Sequence, residues 1–136
     1  MWQHLISNLA SSGTAIALVL SVAGCASMRT DLVRTGEVSL EQIPSSQAHF
    51  SRVAISRSDE TVVVSGELHR QYHRRGPVPG HVDVVVLDGT GTVVAKVPTD
   101  YRRGSLKSRR HLFTQALPVP VMQGYTIRVV HHAVNT

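Results

Sequence analysis

A chain of 136 residues carrying a net charge of +5 has room for a single domain. It is 42% hydrophobic but only 4% aromatic, so the core must be aliphatic, with valine dominant, and side chains branched at Cβ favour the half-buried face of a sheet. One cysteine excludes an intrachain disulfide, and the scarcity of aromatics together with the lack of a recognised binding motif argues against nucleic acid despite the basic balance.

The first 28 residues hold no formally charged side chain; all fourteen Lys and Arg and all nine acids lie at or beyond Arg29. From Leu5 to Ala23 the chain is apolar or small, with a dense run at Ala15-Ile16-Ala17-Leu18-Val19-Leu20. Such a run suits the core of a signal peptide better than a bilayer-spanning helix, which needs about 20 apolar residues. A competing reading is a buried helix that ends in a core cysteine.

The segment Val22-Ala23-Gly24-Cys25 resembles the lipobox of bacterial lipoproteins. That resemblance implies a diacylglyceryl thioether on Cys25, cleavage after Gly24 and acylation of the new amine by a fatty acid such as palmitate. Two or more acyl chains, at about 0.8 kcal/mol per buried CH₂, suffice for stable anchoring. The stretch Met1 to Asn8 departs from the pattern of such leaders, for it contains His4 but no Lys or Arg. Ala26 after the cysteine, where an acid would signal retention, resembles the enterobacterial pattern for the outer membrane, with the domain facing the periplasm.

Residues 25–48 mix Ser, Thr, Gln, Pro44 and scattered charges, and read as a lipid-anchored flexible tether. Within it, Val38 to Ile43 fits either one helical turn or an edge strand. From His49 onward the pattern alternates. Val53 and Ile55 alternate with Arg52, Ala54 and Ser56; after the turn Ser58-Asp59-Glu60, Val62, Val64 and Leu68 oppose Val63, Ser65, Glu67 and His69. Gly66 inside this second strand predicts a bulge or a close approach of backbones.

A loop from Gln71 to Gly80 contains Gly76, Pro77, Pro79 and Gly80. The next strand, His81 to Leu87, sets Val82, Val84 and Val86 against Asp83, Val85 and Leu87. Asp88-Gly89-Thr90-Gly91 turns it back into Thr92 to Val97, the clearest hairpin of the chain, with the Asp88 carboxylate expected to cap its own backbone. Pro98 and a basic loop, 102–110, precede a strand from Arg110 to Leu117 in which Leu112, Thr114 and Ala116 oppose His111, Phe113 and Gln115. A last strand runs from Tyr125 to His131.

Six or seven short strands with no long helical period predict an all-β fold, a small antiparallel β-sandwich over residues 49–136, preceded by a signal-peptide helix over 1–24 and the tether. The arrangement resembles the immunoglobulin-like and transthyretin-like sandwiches of many exported bacterial proteins. The run Gly80-His81-Val82-Asp83-Val84-Val85-Val86, with Phe113 and Tyr125-Thr126-Ile127-Arg128-Val129, is similar to a group of uncharacterised exported bacterial proteins. Those resemblances imply a shape and a compartment, and bring no activity.

Candidate chemistry is sparse. His69, His73 and His81 flank one loop, but its prolines and the strand before it deny them the shared face of a helix. His131 and His132 are adjacent on a strand and point to opposite faces. No metal or other cofactor is therefore assigned. Arg70, Arg74 and Arg75 with Arg102, Arg103, Lys107, Arg109 and Arg110 would form a positive patch if their two loops meet, beside an anionic leaflet or the cell wall; the alternative is a solvated basic surface.

Among the acids, Asp83, Asp88 and Asp100 lie near the better-defined strands, and Asp83 is expected to be exposed or paired with an arginine. Joined on paper with His81 and Ser65, it lacks any spacing that requires proximity, so no catalytic residue is assigned and the chain reads as no enzyme. The expectation is an envelope lipoprotein, held by lipid on Cys25, whose sandwich contacts another envelope protein or the cell wall. The alternatives are a pilotin-like chaperone of an outer-membrane secretion channel, able to accept a partner strand, and a periplasmic metal or small-ligand binder using the histidine-bearing loop.

Overall fold

The computed structural model describes residues 29–71, 76–105 and 108–134. The signal-peptide segment and Cys25 lie outside the described residues, as do His73, Arg74, Arg75 and Lys107. Among the described residues nine strands follow one another: β1 (Thr30–Asp31), β2 (Val38–Ile43), β3 (Ala48–Ser58), β4 (Thr61–Arg70), β5 (His81–Leu87), β6 (Val93–Thr99), β7 (Arg102–Arg103), β8 (Arg110–Ala116) and β9 (Tyr125–His132). They form a sandwich of two sheets, ordered β1-β3-β4-β8-β7 and β2-β9-β5-β6. Among the described residues no helix is long and apolar enough to cross a membrane.

The all-β sandwich agrees with the alternation in the sequence, with two differences. Strands β2 and β9 pair in parallel, from Val38↔Tyr125 to Ile43↔Val130, so the sandwich is not antiparallel throughout. The flexible tether expected over 25–48 is corrected over 30–48, where the chain forms β1, β2 and the turns that join them to the folded body. Leu32 is fully buried, its N–H donates to the Ile55 carbonyl at 3.0 Å, and its carbonyl accepts from the N–H of Glu37 at 3.0 Å and of Val38 at 3.3 Å. Arg57 of β3 clamps the same segment through Glu37 at 2.8 Å and the Val121 carbonyl at 3.1 Å. A two-residue strand and an edge strand with a largely exposed face carry too little alternation to stand out.

The core is the valine-rich layer between the sheets, with Val62, Val64, Val82, Val84, Val86 and Val129 joined by Leu32, Ile55, Leu68 and Ile127. All but Leu32, which lies in the turn after β1, come from the inward parity of their strands, the period of two that the sequence displays. In β8 the inward set is His111 and Phe113, leaving Leu112 exposed. Gly66 is needed there: a Cβ at this position would sit 2.4 Å from the Phe113 ring and 2.9 Å from the Arg52 carbonyl, opposite the β3 irregularity between Phe50 and Arg52. Pro98 is tolerated because β6 is the edge of its sheet.

Strand direction gives the sandwich two unlike ends. At one, β1 pairs with the close of β3, beside the turn of Asp59 and Glu60, the Asp88 hairpin and Gly124. At the other, Ala48 pairs with Arg70, His69 with Arg110, and His81 with His132.

Candidate functional site

The second end gathers all six histidines among the described residues: His49, His69, His81, His111, His131 and His132. Arg70, Arg102, Arg103, Arg109 and Arg110 lie there too, so the two basic loops do meet as far as they are described. Asp31, Glu37, Asp59, Glu60 and Asp88 lie at the opposite end, where Arg29, Arg34 and Arg57 offset part of their charge. The molecule is thus electrically polar along its strands.

On the outer face of the second sheet, His81 of β5 faces His132 of β9, and Asp83 follows two residues after His81 on that face. The two imidazoles stack with centroids 4.9 Å apart and an interplanar angle of 21°. Both aim Nε2 at Asp83: His132 at 2.9 Å from Oδ2 and His81 at 3.5 Å from Oδ1. The Lys96 ammonium stands 3.2 Å from Oδ2.

Asp83 is 2% exposed although it faces away from the core, because Val130 and Pro98 flank it in register and the three cationic or imidazole side chains cover it. The exposed or arginine-paired Asp83 expected from the sequence is therefore corrected to a buried carboxylate paired with lysine and histidine. Its Oδ1 has no hydrogen-bond partner.

Facing the opposite way, into the sandwich, lies a second cluster. Ser45 Oγ accepts from the N–H groups of Gln47 at 3.0 Å and Ala48 at 3.2 Å. With both lone pairs engaged, its proton goes to His131 Nδ1, 2.7 Å away. His131 Nε2 then carries the hydrogen and faces Tyr101 Oη at 3.2 Å, while the Tyr101 hydroxyl donates to the Val78 carbonyl at 2.9 Å. Val78 N–H donates in turn to His111 Nε2 at 3.2 Å, which leaves the His111 hydrogen on Nδ1.

Burial sets the acid–base character of this cluster. It pushes the Tyr101 phenol up to about 12, aided by the charge of Asp100. Desolvation also lowers His111, helped by the neighbouring Arg103, and lowers His131 against the opposing pull of the Pro79 carbonyl. Ser45 and His131 resemble a nucleophile and its base in distance alone. A nucleophilic oxygen needs a free lone pair directed at substrate, and here the two backbone N–H groups hold both.

Ser65 sits on the outer face of the first sheet, away from His81 and Asp83 on the second, so the paper triad does not assemble. His69 stacks on His49 at 5.7 Å within the first sheet and lies apart from His81 in the fold. Asp88 caps its turn, its Oδ1 accepting from the Thr90 hydroxyl at 2.6 Å, Thr92 N–H at 3.0 Å and Thr90 N–H at 2.9 Å, and these bonds, the hydroxyl's foremost, hold its carboxyl below the usual range.

Sequence reading missed the pairing of His81 with His132, the capping Lys96 and the Ser45–Tyr101 connection. The available signal was that His81 and Asp83 share one face of one strand; the partner strand lies some fifty residues downstream, and nothing local fixes that register. No family model matches the chain, and no curated protein or solved structure matches it.

Proposed function

We propose that the protein is a non-enzymatic, lipid-anchored envelope protein of the outer membrane whose distal end contacts an anionic polymer of the cell wall. The polarity of the sandwich carries this reading. If Cys25 bears the lipid, only residues 26–29 separate it from β1, a reach of roughly 17 Å at most. The eleven residues of β3 then place the arginine-rich end about 35 Å further on. Arg102 and Arg109 are exposed there, while five of the nine acids lie at the end near the anchor. A wall polymer bearing carboxylates or phosphates meets the first surface, and attraction would fall as salt rises.

Co-sedimentation of the full-length chain in detergent micelles with purified cell-wall sacculi tests the contact. Binding at low salt that weakens at high salt, and is lost in the double variant Arg102→Glu and Arg109→Glu, supports it. Salt-insensitive binding, or capture by anionic vesicles without capture by sacculi, contradicts it. Labelling with an alkyne fatty acid tests the anchor separately: incorporation by the wild type and none by Cys25→Ser is expected, and an unlabelled wild type removes the anchor.

A further inference from the structure

We infer that His81, Asp83 and His132 form a binding site for a divalent late transition ion, with zinc as the reference ion. Two imidazole nitrogens and one carboxylate oxygen are a borderline-soft donor set, suited to zinc, copper or nickel and unsuited to magnesium or calcium, which take oxygen ligands. The three ligand atoms lie within 4.8 Å of one another. Tetrahedral zinc holds such atoms about 3.3 Å apart, so the site closes by a small swing of the two rings. Their side chains are 49% and 43% exposed and have room to turn.

Asp83 supplies the fixed point and an oxygen with capacity to spare. It is held on a central strand, buried, and its Oδ1 is left without a hydrogen-bond partner while facing His81 Nε2. Buried carboxylate oxygens are otherwise paired or coordinate metal. Lys96 satisfies only Oδ2, from a side chain that is 58% exposed, so its ammonium can leave for water when a divalent ion arrives. Three protein ligands on an open face leave at least one position for water or for a ligand from a partner, the pattern of an exchangeable site. The site stands on the second sheet's outer face and does not depend on the wall contact or on the anchor.

Zinc titration of the full-length chain in detergent micelles, followed by calorimetry, tests the site, with far-UV circular dichroism as the check that each variant folds. One zinc per chain is expected, with a micromolar or tighter Kd and no competition by magnesium. His81→Ala and His132→Ala, both at exposed rings, should each weaken binding by at least about tenfold. Lys96→Met, which frees Oδ2 and removes a competing charge, should tighten it several-fold. His69→Ala, in the first sheet, should leave it unchanged. Absence of saturation below about 1 mM, or zinc binding by His81→Ala and His132→Ala that matches the wild type, overturns the inference.

Discussion

His131 and His132 are neighbours in the chain and belong to different chemistries. The first turns inward, where Ser45 and Tyr101 occupy its two ring nitrogens and burial lowers its pKa. The second turns outward, onto a carboxylate that still has an unpaired oxygen. Strand parity alone separates them, and it divides the labour at one end of the sandwich. Hydrogen bonds at both ring nitrogens of His131 make it a structural tie between β9, the Ser45 turn and the Val78 loop, although His111 Nδ1 has no partner; the exposed rings and the unpaired Asp83 oxygen of the outer cluster make that one available to a ligand.

The substitution that should break both clusters at once is Gly80→Ala. Gly80 has φ +106°, and a Cβ there would fall 2.0 Å from the His132 carbonyl oxygen and 3.3 Å from His131 Nε2. Backbone cannot yield as a side-chain tip can, so overpacking and strain together should cost about 3 kcal/mol or more, read as a lower urea midpoint. Next in size is Ser45→Ala, which strands His131 Nδ1 and the N–H groups of Gln47 and Ala48. A loss of about 1–3 kcal/mol is expected in the same assay. A change under about 0.5 kcal/mol would mean that the inner cluster ties nothing together.

Acid should attack the inner cluster in a predictable direction. His111 is held below its ordinary 6.5 by desolvation first and then by Arg103, with His69 and Arg70 adding smaller like-charge effects. The folded state therefore binds fewer protons than the unfolded chain between the two pKa values. Stability is retained above about pH 6.5 and falls as pH drops from there through the folded-state pKa. Urea midpoints measured from pH 7.5 down to 4.5 should show this decline, and His111→Gln, which keeps an acceptor for Val78 N–H, should make it shallower, leaving the part due to His131, whose pKa burial also lowers. The smallest effect belongs to the outer face: in the absence of metal, His132→Ala should shift stability by no more than about 1 kcal/mol, so a larger loss would make that cluster structural as well.

How far the residues foretold this arrangement depended on how local the determinants were. The Asp88 turn was legible because one carboxylate and two nearby N–H groups define it. The inward faces of β4 and β5 were legible because Val62, Val64 and Leu68, and Val82, Val84 and Val86, alternate without interruption. Strand β1 was not, since its segment is held by Leu32 and Arg57 across some twenty residues or more, and Val38 to Ile43 was legible only as an edge strand or a helical turn, because the parallel pairing with β9 that fixes β2 lies nearly ninety residues downstream. The same distance hid the outer site: His81 and Asp83 were visible on one strand, but His132 and Lys96 join them through the β5–β9 and β5–β6 registers, which only the closed sheet specifies.

Nitrogen-resolved NMR of the imidazole rings in the full-length chain, before and after zinc, tests the separation of the two faces most directly. His131 should carry its hydrogen on Nε2 and His111 on Nδ1, both undisturbed by zinc, while the signals of His81 and His132 move together as zinc is added. Reversed tautomers at His131 and His111, or a zinc response shared by the inner pair, would contradict it.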